Sequence, residues 1–521
     1  MRSAPALLED AAAAVPDCVW FEETGAGSLT FAEAARESAR WAGALRQLGV
    51  GDGDRVVTMM PSGTDSVLAW FGLAYLRAVD TGCNAAYLGD MLSYIITNSR
   101  AAVMIVSERY AGRLAGIDTG GLKTVVVPDA SGPLPDVPGV RLMDRAAFLG
   151  PAAAEPPAPP APAAWDLACV TYTSGTTGPS KGVLVPWGQI CAQVAGLFDD
   201  FGPDDTVYSI FPAFHLSYRF CIYLSLQRRG RFVARDGFSG SQFWDDIRRY
   251  RATATGLTGT MANFLAQLPA RADDADNPVR ELLSFPLPAD HARFAERFGV
   301  RLRTCFTSTE ICVPIVTDPS GRIDDPASCG RVRAGWPGIE VRLVDANDIA
   351  VPPGEMGELV VRTAVPWTMN AGYLDQPGAT AAAWRNGWFH TGDCLRQAPS
   401  GDFYFVDRVK DALRRRGENI SSFEVESFIR RHPAVKDVAV IGVPSELGED
   451  EVYAIIETVG GQPLDPAGLT GFLRPIMPAF MLPRFVDVVP ELPRTEATLR
   501  VRKAELRARG RSASAWDAEA S

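Results

Sequence analysis

The segment TYTSGTTGPSKG, Thr171 to Gly182, gathers hydroxyl side chains, three glycines and one lysine into a short span. The residues before it and the run VLVP after it each predict a strand. Glycine permits positive φ and lets backbone N–H groups converge on an oxyanion. The segment therefore predicts a phosphate-binding loop between two strands, with these binding residues: Thr173, Ser174, Gly175, Thr176, Thr177 and Lys181. A flexible Ser/Gly linker is the alternative, and the glycine spacing does not fit a Walker A loop.

Length, composition and net charge limit which classes of protein this chain can belong to. A chain of 521 residues exceeds what one hydrophobic core usually serves, so two or more domains are expected. Its 47% hydrophobic and 22% charged residues are typical of a globular protein. The net charge of −11 argues against a nucleic-acid partner, for which a basic face is the usual footprint. An anionic small ligand is still compatible, because local groups set the field at a site.

Targeting and redox signals point to the cytoplasm. The nine cysteines have neither CxxC pairs nor metal-ligand spacing, which favours reduced thiols. Glu9 and Asp10 stand where a signal peptide would be apolar. The apolar run VLAWFGLAYLRAVD contains Arg77 and Asp80, which predicts a buried helix and no membrane span.

The chain alternates strand and helix patterns through its first part. Residues 29–50 predict a helix stopped by Gly49, DRVVTMM a strand, DSVLAWFGLAYLRA a helix, and AAVMIVS a strand. Such alternation predicts parallel βαβ units and an α/β fold. The Pro/Ala-rich stretch 151–164 predicts a surface connector.

Short strands and a second domain are predicted further along. GIEVRLVD and GEMGELVVR predict short strands of a small β-barrel or meander. From Asp411 the pattern restarts with SFEVESFIRRHPAVKDVAVIGV, a helix followed by a strand, which predicts a small α+β domain.

Five further segments follow the phosphate loop in a fixed order: FPAFH (211–215), FTSTE (306–310), WFHTGD (388–393), DRVKD (407–411) and RRRGENISSFEVE (414–426). Each alone has an ordinary explanation, such as a turn residue or a solvated charged stripe. Together they resemble the adenylate-forming (ANL) superfamily, which includes acyl- and aryl-CoA synthetases, adenylation domains and firefly luciferase. The local amino-acid sequence is similar to that of carnitine/crotonobetaine-CoA ligases.

The resemblance implies roles for residues of the first segments. The loop would grip the pyrophosphate end of ATP, and His215 would border the carboxylate pocket. Phe306 would stack on adenine, Thr309 would meet the α-phosphate, and Glu310 would hold Mg²⁺.

The resemblance also implies roles later in the chain. Asp393 would bind the ribose hydroxyls, and Arg408 would lie near ribose and phosphate. Lys410 would be the hinge between an N-terminal domain, 1–409, and a mobile C-terminal lid, 410–521. The pantetheine tunnel for CoA would be formed by Gly417, Glu418 and Asn419.

Two departures from the family pattern are prominent. The family ends with a segment of the form LPKTxxGK, whose lysine serves adenylation, whereas this chain has LPRTEATLRVRKAEL. Arg500 aligns best with that lysine, and Arg502 and Lys503 are the other candidates. The guanidinium of arginine is a planar, fork-shaped group and does not act as the compact ammonium of lysine does. Phe285 and Thr307 replace small residues near the nucleotide and acyl pockets.

These features predict an acyl-CoA ligase with weakened or lost adenylation and retained CoA thioester formation, in the extreme case using an acyl-adenylate made by a partner enzyme. Alternatives are a stand-alone adenylation enzyme that loads a separate carrier protein, a binding-only relative, and a luciferase-like oxygenase. A homodimer is compatible with the sequence. Composition similar to that of natural-product enzymes suggests secondary metabolism, including antibiotic biosynthesis.

The acid is expected to be bulky and hydrophobic because the implied acyl pocket is rich in aromatic side chains. That pocket would be lined by His215, Tyr218, Phe220, Phe264 and Thr307. Arg219 offers a partner for a second carboxylate, although a surface position is favoured for it.

Overall fold

The structure is a computed structural model that describes residues 1–150, 161–173, 180–288, 290–318, 323, 325–408, 413–415, 418–420, 422–444, 450–477, 479–495 and 499–520. The described residues form two compact units. Unit 1 lies within Met1–Gly175, Pro179–Val341 and Val361–Phe389, and unit 2 lies within Arg342–Val360 and His390–Ser521. The domain boundary at 409/410 stays a prediction.

The first part of unit 1 alternates strands and helices as predicted. Its elements are α1 (Ala4–Ala14), β1 (Val19–Glu23), β2 (Ser28–Thr30), α2 (Phe31–Gln47), β3 (Arg55–Met59), α3 (Thr64–Tyr75), β4 (Val79–Gly82), α4 (Gly89–Ser99), β5 (Val103–Val106), α5 (Glu108–Ala111), β6 (Thr124–Val127), β7 (Arg141–Asp144) and α6 (Arg145–Leu149). Helix α2 begins at a capping box, in which Glu33 N donates to Thr30 Oγ1 and Thr30 N donates to the Glu33 carboxylate.

The next part continues the alternation. Its elements are β8 (Leu167–Thr173), β9 (Lys181–Pro186), α7 (Trp187–Val194), β10 (Thr206–Ser209), α8 (Leu216–Arg228), β11 (Arg231–Ala234), α9 (Phe243–Tyr250), β12 (Ala254–Thr258), α10 (Gly259–Gln267), β13 (Glu281–Phe285), α11 (His291–Phe298), β14 (Arg301–Arg303), β15 (Cys305–Phe306), β16 (Ile315–Val316) and β17 (Ser328–Val332).

Two seven-stranded sheets form the frame of unit 1. The strand orders are β7-β6-β5-β3-β4-β8-β9 and β14-β13-β12-β10-β11-β1-β2. Every neighbouring pair is parallel except β8–β9 and β1–β2, which confirms the predicted βαβ units. A core containing Trp20, Phe71, Trp187 and Phe232 packs helices and strands of both sheets together.

The predicted helix through Asp80 is wrong at its end. Helix α3 stops at Tyr75, and Asp80 lies in β4, a strand buried between β3 and β8. The apolar pattern did not distinguish a helix end from a following buried strand. The charge of Asp80 is accommodated by a tertiary partner, Arg219, that sequence periodicity does not reveal.

The remaining elements are β18 (Ile339–Val344), β19 (Met356–Thr363), α12 (Pro377–Ala383), β20 (Trp384–Arg385), β21 (Trp388–Gln397), β22 (Phe403–Arg408), β23 (Leu413–Arg415), β24 (Glu418–Ile420), α13 (Ser422–Ile429), β25 (Val435–Pro444), β26 (Asp450–Thr458), α14 (Pro466–Leu473), β27 (Phe485–Val489), α15 (Lys503–Arg509) and β28 (Trp516–Asp517). Short 3-10 helices span Gly112–Leu114, Val459–Gly461 and Ala479–Met481.

Unit 2 contains the sheet β25-β26-β27-β28. Helices α13 and α14 bury Val425, Ile429 and Leu473 in a core with Val440 and Ile456 of that sheet. The predicted helix-to-strand restart is thus confirmed. Strands β22, β21, β19 and β18 are neighbours in that order, and a closed small barrel stays a prediction.

Two smaller expectations concern thiols and membranes. All nine cysteines are free thiols. Among the described residues, no helix combines the length and the apolar character needed to cross a bilayer.

Candidate active site

Strands β8 and β9 bring the two ends of the predicted phosphate loop together. They pair antiparallel with Thr173 opposite Lys181, and Thr173 Oγ1 lies 3.5 Å from the carbonyl oxygen of Lys181. Ser174, Gly175, Thr176 and Thr177 lie outside the described residues. The loop itself stays a prediction, while its two flanking strands are confirmed.

A cation, a phenol and a carboxylate lie in a row beside this hairpin. The ammonium of Lys181 is 4.9 Å from the centroid of the Tyr373 ring. The Tyr373 hydroxyl donates to Glu310 Oε1 at 3.4 Å. Burial and the neighbouring Glu310 raise the pKa of Tyr373, so its phenol stays protonated and acts as a donor.

Tyr373 was not among the residues predicted from the sequence. Its place is set by pairing with β9, in which Leu184 N donates to Gly372 O and Leu374 N donates to Gly182 O. A tyrosine in the context AGYLD carries no chemical signal of its own. Only this long-range pairing identifies Tyr373 as a neighbour of Lys181.

The backbone around Glu310 is held by side-chain amides. Asn370 donates to the Glu310 carbonyl from both its backbone N, at 3.1 Å, and its Nδ2, at 2.7 Å. Gln189 Nε2 donates to Thr309 O at 2.8 Å, and Gln193 Nε2 donates to Ile311 O at 3.3 Å. These contacts fix the segment that carries the Glu310 carboxylate.

The donor set around Glu310 suits Mg²⁺ bound together with a phosphate substrate. Mg²⁺ is usually held by one or two protein carboxylates plus substrate phosphates and water. Glu310 supplies one half-buried carboxylate. Within the described residues, no group of three or more His, Cys, Asp and Glu side chains forms a separate metal cage.

The other residues of FTSTE flank Glu310. Phe306 is buried at the end of β15, where it pairs with Ile315 of β16. Thr307 is exposed, and its Oγ1 lies 3.4 Å from the carbonyl of Cys312. The nucleotide role of Phe306 and Thr309 and the pocket role of Thr307 stay predictions.

His215 caps the N-terminus of α8. Its Nδ1 accepts a hydrogen bond from Ser217 N at 3.1 Å, so the neutral ring carries its proton on Nε2. Burial, and after it the charge of Arg219, lowers the pKa of His215 to about 4. The ring is therefore a neutral Nε2–H donor at pH 7.

Aromatic rings line up beside His215. Its imidazole stacks on Phe211 with centroids 6.1 Å apart, and Phe211 stacks on Phe285 at 6.0 Å. Phe285 stands at the end of β13, so the ring that departs from the family pattern belongs to this row. We call Phe211, His215 and Phe285 the aromatic row.

The other predicted pocket residues have different surroundings. Tyr218 is 2% exposed and packs against Phe232. Phe220 is half-buried beside Phe198, and Phe264 is 49% exposed beside Phe238. The pocket role of Tyr218, Phe220 and Phe264 stays a prediction.

Arg219 is not a surface residue, which corrects the expectation from the sequence. It is 2% exposed and forms a salt bridge with Asp80, itself 3% exposed. Asp80 also accepts a hydrogen bond from Thr58 Oγ1 at 2.6 Å. A buried guanidinium needs such a partner because an unpaired charge is costly to desolvate.

Asp393 lies in unit 2, on strand β21 and opposite Arg408 of β22. The strand segment before it is fixed by Thr391, whose Oγ1 donates to Leu359 O at 2.7 Å and accepts from Asp393 N at 3.1 Å. Glu358 accepts from Gly392 N at 2.9 Å and lies 3.0 Å from His390 Nδ1. Glu358 was not singled out from the sequence.

The three C-terminal cations differ in their contacts. Lys503 Nζ lies 2.7 Å from Glu426 Oε1 and 2.5 Å from Ser422 Oγ. Arg502 pairs with Glu505 at 3.0 Å. Arg500 is exposed, and its carbonyl oxygen accepts a hydrogen bond from Thr495 N at 2.8 Å.

The predicted hinge and tunnel residues fall in a sparsely described part of the chain. Lys410 and Gly417 lie outside the described residues. Glu418 and Asn419 belong to β24, and the CoA tunnel assigned to them stays a prediction.

The neutral state of His215 predicts a pH dependence of stability. Its pKa is lowered from the usual 6.5 to about 4 in the fold, so between these values the unfolded chain binds more protons than the folded one. Stability should therefore fall as pH drops from 6.5 toward 4, and His215→Asn should make this fall shallower. The measurement is the unfolding midpoint at several pH values, with His291→Asn as the control. Identical slopes for His215→Asn and wild type would contradict the assignment.

Comparison with known proteins identifies the family of the chain. Residues 8–374 match the AMP-binding enzyme family, and residues 424–498 match the AMP-binding enzyme C-terminal domain. The chain is 31% identical over 477 residues to a crotonobetaine/carnitine–CoA ligase of Salmonella paratyphi A, covering 89% of this chain and 90% of that protein.

Solved structures share the whole fold. The anthranilate CoA ligase AuaEII in complex with anthranoyl-AMP is 25% identical, with a TM-score of 0.86 and coverage of 97% of both chains. ATP-bound MatB from Rhodopseudomonas palustris is 25% identical, with a TM-score of 0.83 and coverage of 97% and 99%. The α/β fold with a separate C-terminal domain is thereby confirmed. The chain belongs to the AMP-binding enzyme family and is a ligase of the acyl-CoA synthetase type within the adenylate-forming superfamily.

Proposed function

We propose that this protein converts a bulky hydrophobic carboxylic acid to its CoA thioester through an acyl-AMP, with adenylation weakened or lost and thioester formation retained. In the extreme form a partner enzyme supplies the acyl-adenylate. Such a division of labour suits secondary metabolism, including antibiotic biosynthesis.

The observation that carries the proposal is the set of contacts made by the C-terminal cations. Lys503 is engaged by Glu426 and Ser422, so the exposed Arg500 is the residue proposed to stand where the family has its adenylating lysine. An ammonium can rotate three donors about one point, whereas a guanidinium presents a rigid planar fork. An arginine at this position is therefore expected to stabilise the adenylation transition state poorly.

A chain of ion pairs holds Lys503 at Glu426. The acidic groups Glu426, Asp437 and Glu457 alternate with basic groups along this C-terminal ion network. Its links are Lys503–Glu426 (2.7 Å), Glu426–Arg430 (3.3 Å), Arg430–Asp437 (2.9 Å), Asp437–Arg494 (2.7 Å), Arg494–Glu457 (3.0 Å) and Glu457–Lys436 (2.5 Å). Moving Lys503 elsewhere would leave Glu426, which is 4% exposed, without one of its cations.

The row of Lys181, Tyr373 and Glu310 supports retained binding of the phosphate of an adenylate. Lys181 supplies positive charge, and the Tyr373 phenol orients the Glu310 carboxylate. When bound at Glu310, Mg²⁺ would neutralise phosphate charge. His215 offers its Nε2–H as a neutral donor for a carboxyl or carbonyl oxygen.

The aromatic row supports a bulky hydrophobic acid. The stacked rings of Phe211, His215 and Phe285 bring aromatic surface beside the proposed carboxylate position, which suits a bulky apolar acyl group. The similar AuaEII structure holds anthranoyl-AMP, an aromatic acyl-adenylate.

The two half-reactions can be measured separately. With a panel of free acids, ATP and Mg²⁺, pyrophosphate release should be slow for every acid. With synthetic aryl- and alkyl-adenylates plus CoA, mass spectrometry should detect thioester, with aryl and bulky acyl groups preferred over acetyl. Rapid pyrophosphate release from one free acid would overturn the specialised form and leave an ordinary synthetase.

The acceptor is tested in the same assay. A phosphopantetheinylated carrier protein replaces CoA at equal concentration. Preference for the carrier would overturn CoA as acceptor and favour a stand-alone adenylation enzyme.

Arg500→Lys should raise the rate of pyrophosphate release about tenfold or more, because it restores a compact ammonium at this position. Arg502→Lys is the matched control, since it makes the same exchange two residues away and should leave the rate unchanged. No gain from Arg500→Lys would contradict the assignment of Arg500 as the replacement for the family lysine.

The proposed role of Lys181, Tyr373 and Glu310 in phosphate binding predicts a graded loss of MgATP affinity in their variants. Tyr373→Phe keeps a ring beneath Lys181 and should weaken binding only a few-fold, whereas Tyr373→Leu removes the ring and should weaken it by roughly tenfold. Glu310→Gln should weaken MgATP binding but change binding of ATP in excess EDTA much less. The Kd of each variant is measured by calorimetry. Equal Kd values for all variants would exclude Lys181, Tyr373 and Glu310 from the nucleotide site.

A further inference from the structure

A buried ion pair lies behind the turn that carries His215. The Arg219 guanidinium is paired with Asp80, and its Nη1 donates to Phe214 O at 3.3 Å. The same Nη1 lies 3.5 Å from Thr171 Oγ1. One side chain thus contacts the residue before His215 and the strand that enters the phosphate loop.

Close packing of the turn reinforces these contacts. Gly82 stands two residues after Asp80 on the same face of β4, and it pairs with Thr171 of β8. A Cβ at Gly82 would lie only 3.0 Å from Phe214 Cα. The missing side chain lets the Phe214–His215 turn rest directly on the sheet.

Stability alone gives a weak reason for this pair. Taking two charges out of water is costly, and apolar replacements of buried pairs are often neutral or stabilising. The guanidinium is further enclosed by the Trp70 ring, whose centroid is 5.6 Å from Arg219 Cζ. The planar guanidinium of Arg219 fixes relative positions, because it binds the Asp80 carboxylate and the Phe214 carbonyl at the same time.

We propose that the Asp80–Arg219 pair is the positioning element that fixes the Phe214–His215 turn against strand β8, and so aligns the acyl end of the substrate with its phosphate end. Arg219 is a positioning residue and acts through Phe214 O and His215. The inference rests on the proposed role of His215 at the carboxylate, and it adds the group that sets the position of that histidine.

The test uses two variants of the full chain. The double variant Asp80→Asn, Arg219→Met removes both charges and avoids an unpaired buried ion. Arg219→Lys keeps a cation beside Asp80 but loses the fork that reaches Phe214 O. Unfolding midpoints establish that each variant is folded.

The first readout needs no substrate. ¹⁵N-histidine NMR reports the ring tautomer of His215, whose signal among the four histidines is identified with His215→Asn. Both variants should shift the His215 signals away from the pure Nε2–H form, while the other three histidines keep theirs. Unchanged His215 signals in a folded variant would overturn the proposal.

The second readout is kinetic. In thioester formation from acyl-AMP and CoA, both variants should raise the KM for acyl-AMP by about tenfold to a hundredfold and leave the KM for CoA unchanged. An unchanged KM for acyl-AMP would also overturn the positioning role. If the double variant does not fold, Arg219→Lys decides by the same two readouts. Absence of thioester formation in the wild type would count against the proposed function alone, because the NMR readout still tests the position of His215.

Discussion

The site in unit 1 depends on side-chain hydrogen bonds to backbone that no strand satisfies. Within the described residues, Thr309–Ile311 lies outside every strand, and its carbonyls accept from Gln189, Gln193 and Asn370. Buried carbonyls without partners are costly, so these amides fix the backbone that carries the Glu310 carboxylate. Helix α7, the Asn370 segment and the end of β15 are all required to place one acidic side chain.

Electrostatics in this unit is local and is not governed by the net charge of −11. Asp80 balances Arg219 within the core, and burial, together with that arginine, lowers the pKa of His215 and keeps its ring neutral. Lys181 lies over the ring of Tyr373 beside Glu310. An overall acidic chain thereby holds a cation and neutral donors in its candidate site, as the proposed binding of an anionic substrate requires.

Much of the fold and part of the site were predictable from sequence. The helical spacing of apolar residues before Gly49 predicted α2, and the alternation of strand and helix patterns predicted the parallel strands, because both are local patterns. Motif order singled out Thr173, Lys181 and Glu310; the structure places Lys181 and Glu310 on either side of Tyr373, and their binding roles stay predictions. Motif order did not single out Tyr373, since pairing of its segment with β9 joins positions far apart in the chain.

The sequence by itself determined the strand and helix alternation, the family motifs and the arginine at position 500. Only the tertiary structure decided that Arg219 is buried, that Asp80 lies in a strand, and that Lys503 is committed to Glu426. The reason is that hydrophobic periodicity and motif spacing are local properties. The state of a charged side chain depends instead on the partner that packing brings to it from a distant segment.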